Sequence, residues 1–515
     1  MRLPRPWFRT KLRWAAALVP AAILIAFWLP GANQGGWRVD TGLYAAIARY
    51  AYESGRFLDL HTGDQPYFNK PPLAFLIHGL FLHLFGPHLW AARIPTLIGA
   101  ITCALVTVRA AWLLSGPRVA VFTGLVLATT IEYFRFTRAI SLDMWQTLWL
   151  MCALWIASEA LTRRSGKLLI LVGVPIAMAL LTKQMVGLAA LPILAIWLIW
   201  IGRARMALWL IPAALLALAL AAPWHLFMTL RYPGEFLPHY FGSQALGRAT
   251  GASFDRDPWW LYLHILSRTY WPWLPIASIA LFLAIFRSPL DPRAEHTDMG
   301  AIPSRAAERL CALWSICWLI ALSIFAGKAA RYAIVLYPCL AWISAIWLAR
   351  RAPRFVLLPI RAAERWLPPA ALVTCSAIAI IGVRIHRPEA AQWPDLFAEL
   401  AARGNPDLWA SPESAVRWTT SNIYLETGKW PRTTRLDSHF HRDDGLKYNP
   451  IRAGNPKPGD LMVFSNQSRL QPRAQDAQLW SSGRLLIVRI ADEWDGRLTR
   501  SADTTPQDET ESADD

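Results

Sequence analysis

Residues 67–86 read YFNKPPLAFLIHGLFLHLFG, and whether this stretch crosses a bilayer decides how the whole chain is threaded. Its apolar part is shorter than the ~20 residues a spanning helix needs. It also holds His78 and His83, opens on Lys70, Pro71 and Pro72, and closes on Gly86. The expectation is a partly inserted helix on the outer face that does not span.

Around it the composition leaves one class of protein. The 515 residues are 55% apolar with 28 tryptophans, and apolar stretches near bilayer length recur along the chain. Pro175, Pro192, Pro212 and Pro223 stand in or beside these stretches, a pattern membrane helices tolerate and soluble cores do not. The prediction is an all-α polytopic membrane protein with a small C-terminal α/β domain. The six cysteines fall inside apolar runs, where packing is expected rather than disulfides or thiolate chemistry. The net charge of +17 sits mostly in loops and speaks for membrane topology, not for nucleic acid as a partner.

The N-terminal MRLPRPWFRTKLRW is basic and leads into an apolar run ending at Pro30. WLPGANQGGW offers no good small-residue cleavage site, so an uncleaved first span with a cytoplasmic N-terminus is expected. Further spans are predicted at 92–114, 117–134, 142–161, 167–182, 185–201, 206–229, 259–286, 310–327, 331–349 and 366–385. These eleven crossings place RRSGK (163–167), GRAR (202–205), the Arg-rich 287–309 loop and ARRAPRF (349–355) inside, as the positive-inside bias requires.

The same count leaves Lys70, Arg135, Arg138, Lys183, Arg231, Arg248, Arg268, Lys328 and Arg331 outside, mostly at span ends. One such cation alone reads equally well as a side chain snorkelling to lipid phosphate. Gathered on one side, beside acidic and aromatic residues, they predict an outward-facing anion site. Residues 1–385 are thus read as the transmembrane domain, with 31–91 as its first outer loop. Residues 386–500, where PDLFAELAARG, NIYLETG, GDLMVFSN and GRLLIVRI alternate one helical pattern with short β-rich runs, are read as an outer α/β domain. The acidic tail 501–515 is expected to be disordered.

Two outer carboxylates stand out. Asp40 and Tyr44 lie four apart, on one face of a helix over TGLYAAIARYAYESG, while Asp143 opens a span just after Arg135 and Arg138. Either carboxylate also reads as a plain helix cap.

The stretch from Asp40 to Ala100, with YFNKPPL and FGPHLWAARIP inside it, resembles the first outer loop of bacterial GT-C glycosyltransferases of the aminoarabinose-transferase and protein O-mannosyltransferase-like group. The likeness recurs in order in RAISLDM, LLTKQMVGLAALP, APWHLFMTLRYPGEFLPHYFGSQALGRATG with PWWLYL, and GKAARYAIVLYPCLA. It implies a GT-C fold of about eleven to thirteen membrane helices in the bacterial inner membrane, probing the periplasm with its C-terminal domain and working as a monomer. It implies an enzyme that takes a sugar from a polyprenyl-phosphate donor and hands it to a cell-envelope acceptor: lipid A, a glycan or a protein hydroxyl. Lys70, Arg248 and Lys328 would hold the phosphate, with Arg331 and Lys183 behind them and Arg138, Tyr44, Tyr67 and Tyr332 also assigned to substrate. Asp40 would be the general base and Asp143 a catalytic partner orienting the basic groups or the acceptor.

Three positions depart from the family pattern. Thr41 and Asn69 stand where carboxylates are usual, and SQALGR, with Ser243 and Gln244, replaces a segment bearing glutamate and histidine. A resident divalent metal is therefore not expected, since its oxygen or imidazole donors are missing. The outer histidines His61, His78, His83 and His239 lack ligand spacing and are expected to pack. The rival reading is a transporter or flippase for an amphipathic anion, which would call for mid-span polar pathways and an inverted repeat. Neither is visible in the sequence.

Overall fold

The structure, a computed structural model, describes residues 18–33, 39–63, 65–246, 258–286 and 305–351. In the C-terminal region it describes 399–404, 408–410, 424–425, 432–433, 460–465, 470–471, 477–482, 485–489, 491 and 499–500. The chain divides into two compact units: Met1–Ala32, Phe68–Ile77 and Arg93–Ile385 form the first, and Asn33–Tyr67, His78–Ala92 and His386–Asp515 the second.

The helices in chain order are α1 (Leu18–Gly31), α2 (Val39–Ser54), α3 (Leu73–Phe85), α4 (Leu89–Ser115), α5 (Pro117–Ala128), α6 (Ile131–Arg138) and α7 (Leu142–Thr162). They continue as α8 (Gly166–Lys183), α9 (Met185–Trp200), α10 (Ala204–Arg231), α11 (Leu261–Thr269), α12 (Leu274–Phe286), α13 (Ala306–Ile324) and α14 (Tyr337–Arg351). Among the described residues, α4, α8, α10 and α13 are each long and apolar enough to cross a membrane, and α5 with α6 makes a fifth such segment. The chain is a multi-pass membrane protein.

Two expected spans break in mid-course, and a third, 331–349, opens as a 3-10 turn over Ala330–Val335 before its helix begins at Tyr337. The stretch predicted over 117–134 bends by 64° between α5 and α6. There Thr129 and Thr130 turn their hydroxyls back onto the carbonyls of Leu125 and Val126, each at 2.8 Å, and such back-bonding bends helices. The stretch predicted over 259–286 divides into α11 and α12 around Tyr270–Leu274, where Pro272 supplies no N–H to carry a helix through. Residues 71–86 form the separate short helix α3, and the predicted span 366–385 lies outside the described residues.

The first unit packs as a membrane bundle should when apolar faces alone give no drive to associate. Gly173 of α8 meets the backbone of Ala213 on α10 so closely that a Cβ would collide with its carbonyl. Indole N–H groups find partners inside: Trp197 donates to Ala306 O at 2.8 Å, and Trp314 to Val335 O at 3.0 Å. Trp149 of α7 donates to the Thr182 hydroxyl of α8 at 3.1 Å, pinning those two helices to each other.

In the second unit α2 lies against a two-strand hairpin, β1 (His61–Thr62) and β2 (Gln65–Pro66), and against the later part of α3. At Gly79 the α3 backbone approaches Ala48 and Tyr52 of α2, leaving no room for a side chain. The C-terminal region contributes β3 (Leu408–Ala410), β4 (Arg432–Thr433), β5 (Leu461–Ser465), β6 (Leu470–Gln471), β7 (Ala477–Ser482), β8 (Leu485–Arg489) and β9 (Thr499–Arg500). Five of them form a sheet in the order β4-β3-β5-β8-β7, with β3 parallel to both neighbours and β8 antiparallel to both of its own. The β-rich GDLMVFSN and GRLLIVRI become β5 and β8, with Met462, Ile487 and Val488 fully buried. NIYLETG departs from the expectation, because its described residues 424–425 are helical.

Candidate functional site

Asp143 is the centre of a charged cluster in the first unit. It stands in the first turn of α7, yet it is not the cap: the Ser141 hydroxyl accepts the Met144 N–H at 3.1 Å and fills that role. The carboxylate, only 10% exposed, is thereby left for the Lys183 ammonium, which forms a close ion pair with it, and for Arg331, whose Nε is 3.9 Å from the other oxygen. Tyr332 lies beneath both cations, its ring centroid 4.1 Å from Lys183 Nζ and 5.7 Å from Arg331 Cζ.

Lys183 owes its position to the way α8 ends. Gln184 takes φ +86°, the left-handed region a non-glycine residue enters only when its surroundings insist. From there its amide donates to the carbonyl of Asn69 across 3.1 Å. Asn69 in turn receives His239 Nε2 on its side-chain oxygen at 2.6 Å. Next to it Phe68 is buried among Trp224, Met228, Phe236 and Tyr240. Lys70, 5% exposed, thus follows a residue held from two sides and precedes two prolines that fix the backbone.

Lys328 sits just before the 3-10 turn Ala330–Val335 that presents Arg331 and Tyr332. The fully buried Tyr262 of α11 holds that approach, its hydroxyl both donating to Ala329 O and accepting from Ala329 N–H at 3.2 Å. Tyr262, Gln184 and His239 fall inside the segments of family likeness, PWWLYL, LLTKQMVGLAALP and APWHLFMTLRYPGEFLPHYFGSQALGRATG, but nothing in the sequence alone gives them these bonds. Their roles arise from long-range contacts that only the fold reveals.

Arg138 is not among the groups gathered at Asp143. Its guanidinium donates to Phe27 O near the end of α1 and stands 5.4 Å from the Phe134 ring centroid. The buried Arg93 donates to Gly31 O and Ala32 O at 3.0 and 2.9 Å. Both arginines donate to carbonyls at the C-terminal end of α1, where the helix's negative end favours a cation. Arg135 is likewise taken up, pairing with Glu132 at 3.1 Å. Asp40, Tyr44 and Tyr67 belong to the second unit, Asp40 as the second residue of α2. Arg248 lies outside the described residues, and Ser243 and Gln244 are described in backbone only, within the π-helical turn Pro238–Leu246.

Among the described residues no group of three His, Cys, Asp or Glu side chains stands together to hold a metal. His61 faces Asp59 at 3.1 Å, His78 is buried against Ala92 O at 2.7 Å, and His83 stacks on Tyr52. What the Asp143 cluster offers is preorganised positive charge, with Asp143 and Lys183 largely shielded from water and Arg331 40% exposed beside them. That arrangement suits an anion and the negative charge that develops as it departs.

The fold is that of the GT-C membrane glycosyltransferases. It resembles the crystal structure of ArnT from Cupriavidus metallidurans bound to undecaprenyl phosphate with a TM-score of 0.72 and 19% identity, covering 92% of this chain and 97% of that one. It also resembles the oligosaccharyltransferase AglB from Archaeoglobus fulgidus (TM-score 0.52, 12% identity, 82% and 64% covered). In sequence, residues 69–227 match the family model for dolichyl-phosphate-mannose-protein mannosyltransferases. Curated relatives are undecaprenyl phosphate-α-4-amino-4-deoxy-L-arabinose arabinosyl transferases. That of Erwinia tasmaniensis is 30% identical over 59% of this chain and 53% of its own length, and that of Enterobacter sp. 28% identical over 65% and 59%. The chain therefore spans a little over half the length of these relatives, and its resemblance to the aminoarabinose-transferase-like group holds in both fold and sequence.

Proposed function

We propose that this chain is an integral-membrane glycosyltransferase of the inner membrane, with a cytoplasmic N-terminus and a periplasmic C-terminal domain. It moves a sugar from a polyprenyl-phosphate donor to lipid A, another envelope glycan or a protein hydroxyl. The observation that carries the reading is the buried Asp143 carboxylate with Lys183 and Arg331 upon it and the Lys70 segment bonded alongside through Gln184. A bundle with this fold and a cationic centre of this kind suits a lipid whose phosphate must be held at the membrane surface while its tail stays in the bilayer.

In the proposed reaction Lys70, Lys328 and Arg331 bind the donor phosphate, with Arg248 joining them, and Lys183 is oriented by Asp143. Asp40 takes the proton from the acceptor hydroxyl. The freed oxygen attacks the anomeric carbon from the face opposite the phosphate, and the bond from that carbon to the phosphate oxygen breaks. Its electron pair stays on the departing polyprenyl phosphate, whose charge the cations stabilise. The test is mass spectrometry of envelope lipids, glycans and proteins from cells with and without the gene, paired with loss of radiolabel from the undecaprenyl-phosphate sugar pool. An envelope unchanged in every sugar modification would sink the reading.

A further inference from the structure

The proposed chemistry leaves unused a contact between α2 and the C-terminal region. Arg49 of α2 donates from Nε to Glu53 at 2.6 Å and from Nη1 to the carbonyls of Tyr424 and Leu425 at 3.3 and 2.7 Å. The Tyr424 hydroxyl closes the loop by donating to the other oxygen of Glu53. Its ring centroid lies 5.1 Å from the Arg49 guanidinium carbon, and Tyr50 meets the same ring edge-on at 6.0 Å. Tyr424 and Leu425 are each 1% exposed. Burial, and then the bond to Glu53, hold the phenol well above its ordinary pKa, so it remains a donor at any physiological pH.

This grip is matched by another, about 100° round the helix. Ala48 and Tyr52 receive Gly79 of α3, and His83 stacks on Tyr52 with ring centroids 5.6 Å apart. Helix α2 is thus held on two faces at its C-terminal half, while Asp40 and Tyr44 stand at the other end. Nine residues of helix separate Asp40 from Arg49, about 13 Å at 1.5 Å per residue, so a tilt of about 5° at the grip moves Asp40 by about 1 Å. A misplacement of that size is enough to slow a reaction by about a hundredfold.

We infer that Arg49, Glu53 and Tyr424 form a positioning clamp by which the C-terminal domain sets the stance of α2, and with it of Asp40 and Tyr44, during transfer. The inference rests on the reading of Asp40 as the acceptor's base. Arg49 suits the task because its rigid fork reaches a carboxylate and two carbonyls at once, which a lysine does not.

The test uses the full chain in detergent and in membranes of a deletion strain, comparing wild type with Tyr424→Phe, Arg49→Met and Asp40→Asn. Amide hydrogen exchange of residues 39–54 is read beside binding of radiolabelled undecaprenyl phosphate and the rate at which label leaves the endogenous undecaprenyl-phosphate sugar pool. Tyr424→Phe and Arg49→Met should each speed exchange in α2 at least tenfold and slow transfer ten- to a hundredfold, with undecaprenyl phosphate affinity within twofold of wild type. Adding Glu53→Gln to Tyr424→Phe should slow transfer further, since it also takes the charge from the Arg49–Glu53 pair. Unchanged exchange, or faster exchange at the wild-type rate, overturns the clamp. So does a loss of transfer matched by an equal loss of lipid binding, which marks general destabilisation. Asp40→Asn isolates the premise: a wild-type rate in that variant removes the base, whatever the exchange data say of the clamp.

Discussion

Gln184 donates its side-chain amide to the backbone carbonyl of Asn69 across 3.1 Å. That bond joins the residue after Lys183 to the residue before Lys70, so two cations far apart in the chain share one fixed stretch of backbone.

Gln184→Gly relieves the left-handed φ but deletes the amide, whereas Gln184→Val keeps a side chain where φ +86° resists it. The glycine variant should lose at most about 1 kcal/mol of stability and the valine variant about 2 kcal/mol or more. Both should lose donor affinity, because the Asn69 carbonyl is released in each. Melting in detergent alongside undecaprenyl phosphate binding separates the two effects; equal melting of both variants would show that the backbone there is unstrained.

Lys183→Met strands the Asp143 carboxylate with Arg331 at 3.9 Å as its remaining ion-pair partner among the described residues. Breaking one side of a buried pair costs about 3–5 kcal/mol, and removing both charges much less. The double variant Asp143→Asn/Lys183→Met should therefore melt near wild type yet remain inactive. Recovery of transfer in the double variant would reduce the pair to a structural role.

Asp40→Asn should slow transfer by about 10²–10⁴, the range a positioned general base supplies, with undecaprenyl phosphate binding retained. Lys70→Ala should do the reverse and weaken that binding first. Titration of labelled lipid against the two proteins decides the matter: the same affinity for Lys70→Ala as for wild type removes Lys70 from the phosphate.

His78 lies on α3, the helix read as not crossing, and burial draws its pKa down to about 4. An unfolded histidine titrates near 6.5. Above pH 6.5 both states are neutral and the contribution to stability is whole. As pH falls from 6.5 towards 4 only the unfolded chain takes up the proton, and stability drops by up to about 3 kcal/mol. His78→Asn, able to keep a donor on Ala92 O, should show a flatter decline of melting temperature between pH 7 and 4.5, and parallel curves would contradict it.

Much of this was legible before any coordinates. The period of TGLYAAIARYAYESG gives α2, the brevity and prolines of 71–86 give a separate α3, and the apolar alternation of GDLMVFSN and GRLLIVRI gives two sheet strands. Asp143, Lys183 and Arg331, which the structure brings together, stand out in the sequence because charge at the end of an apolar span is conspicuous. The breaks at Thr129–Thr130 and around Pro272 do not follow from the total apolar length on which the spans are drawn, although the Thr pair and the run of Ser267, Arg268 and Thr269 ahead of Pro272 are their local marks in the sequence. Gln184, Tyr262 and His239 are ordinary polar residues in sequence, and partners 115, 67 and 170 positions away make them matter. Arg138 was legible as a charge on the wrong side, but the carbonyl that absorbs it belongs to Phe27, 111 positions earlier.

The end of α1 changes how such charges should be tallied. A helix C-terminus, carrying about half a negative charge, offsets part of the charge of a guanidinium seated on it, so Arg93 and Arg138 are held by the end of α1 and are not free to follow the balance of cations between the two leaflets. Orientation rules for this chain are better scored on its loop arginines alone. The bare face of Gly31, where any side chain would displace the Arg138 guanidinium, makes that position a sensitive place to unbalance the count by mutation.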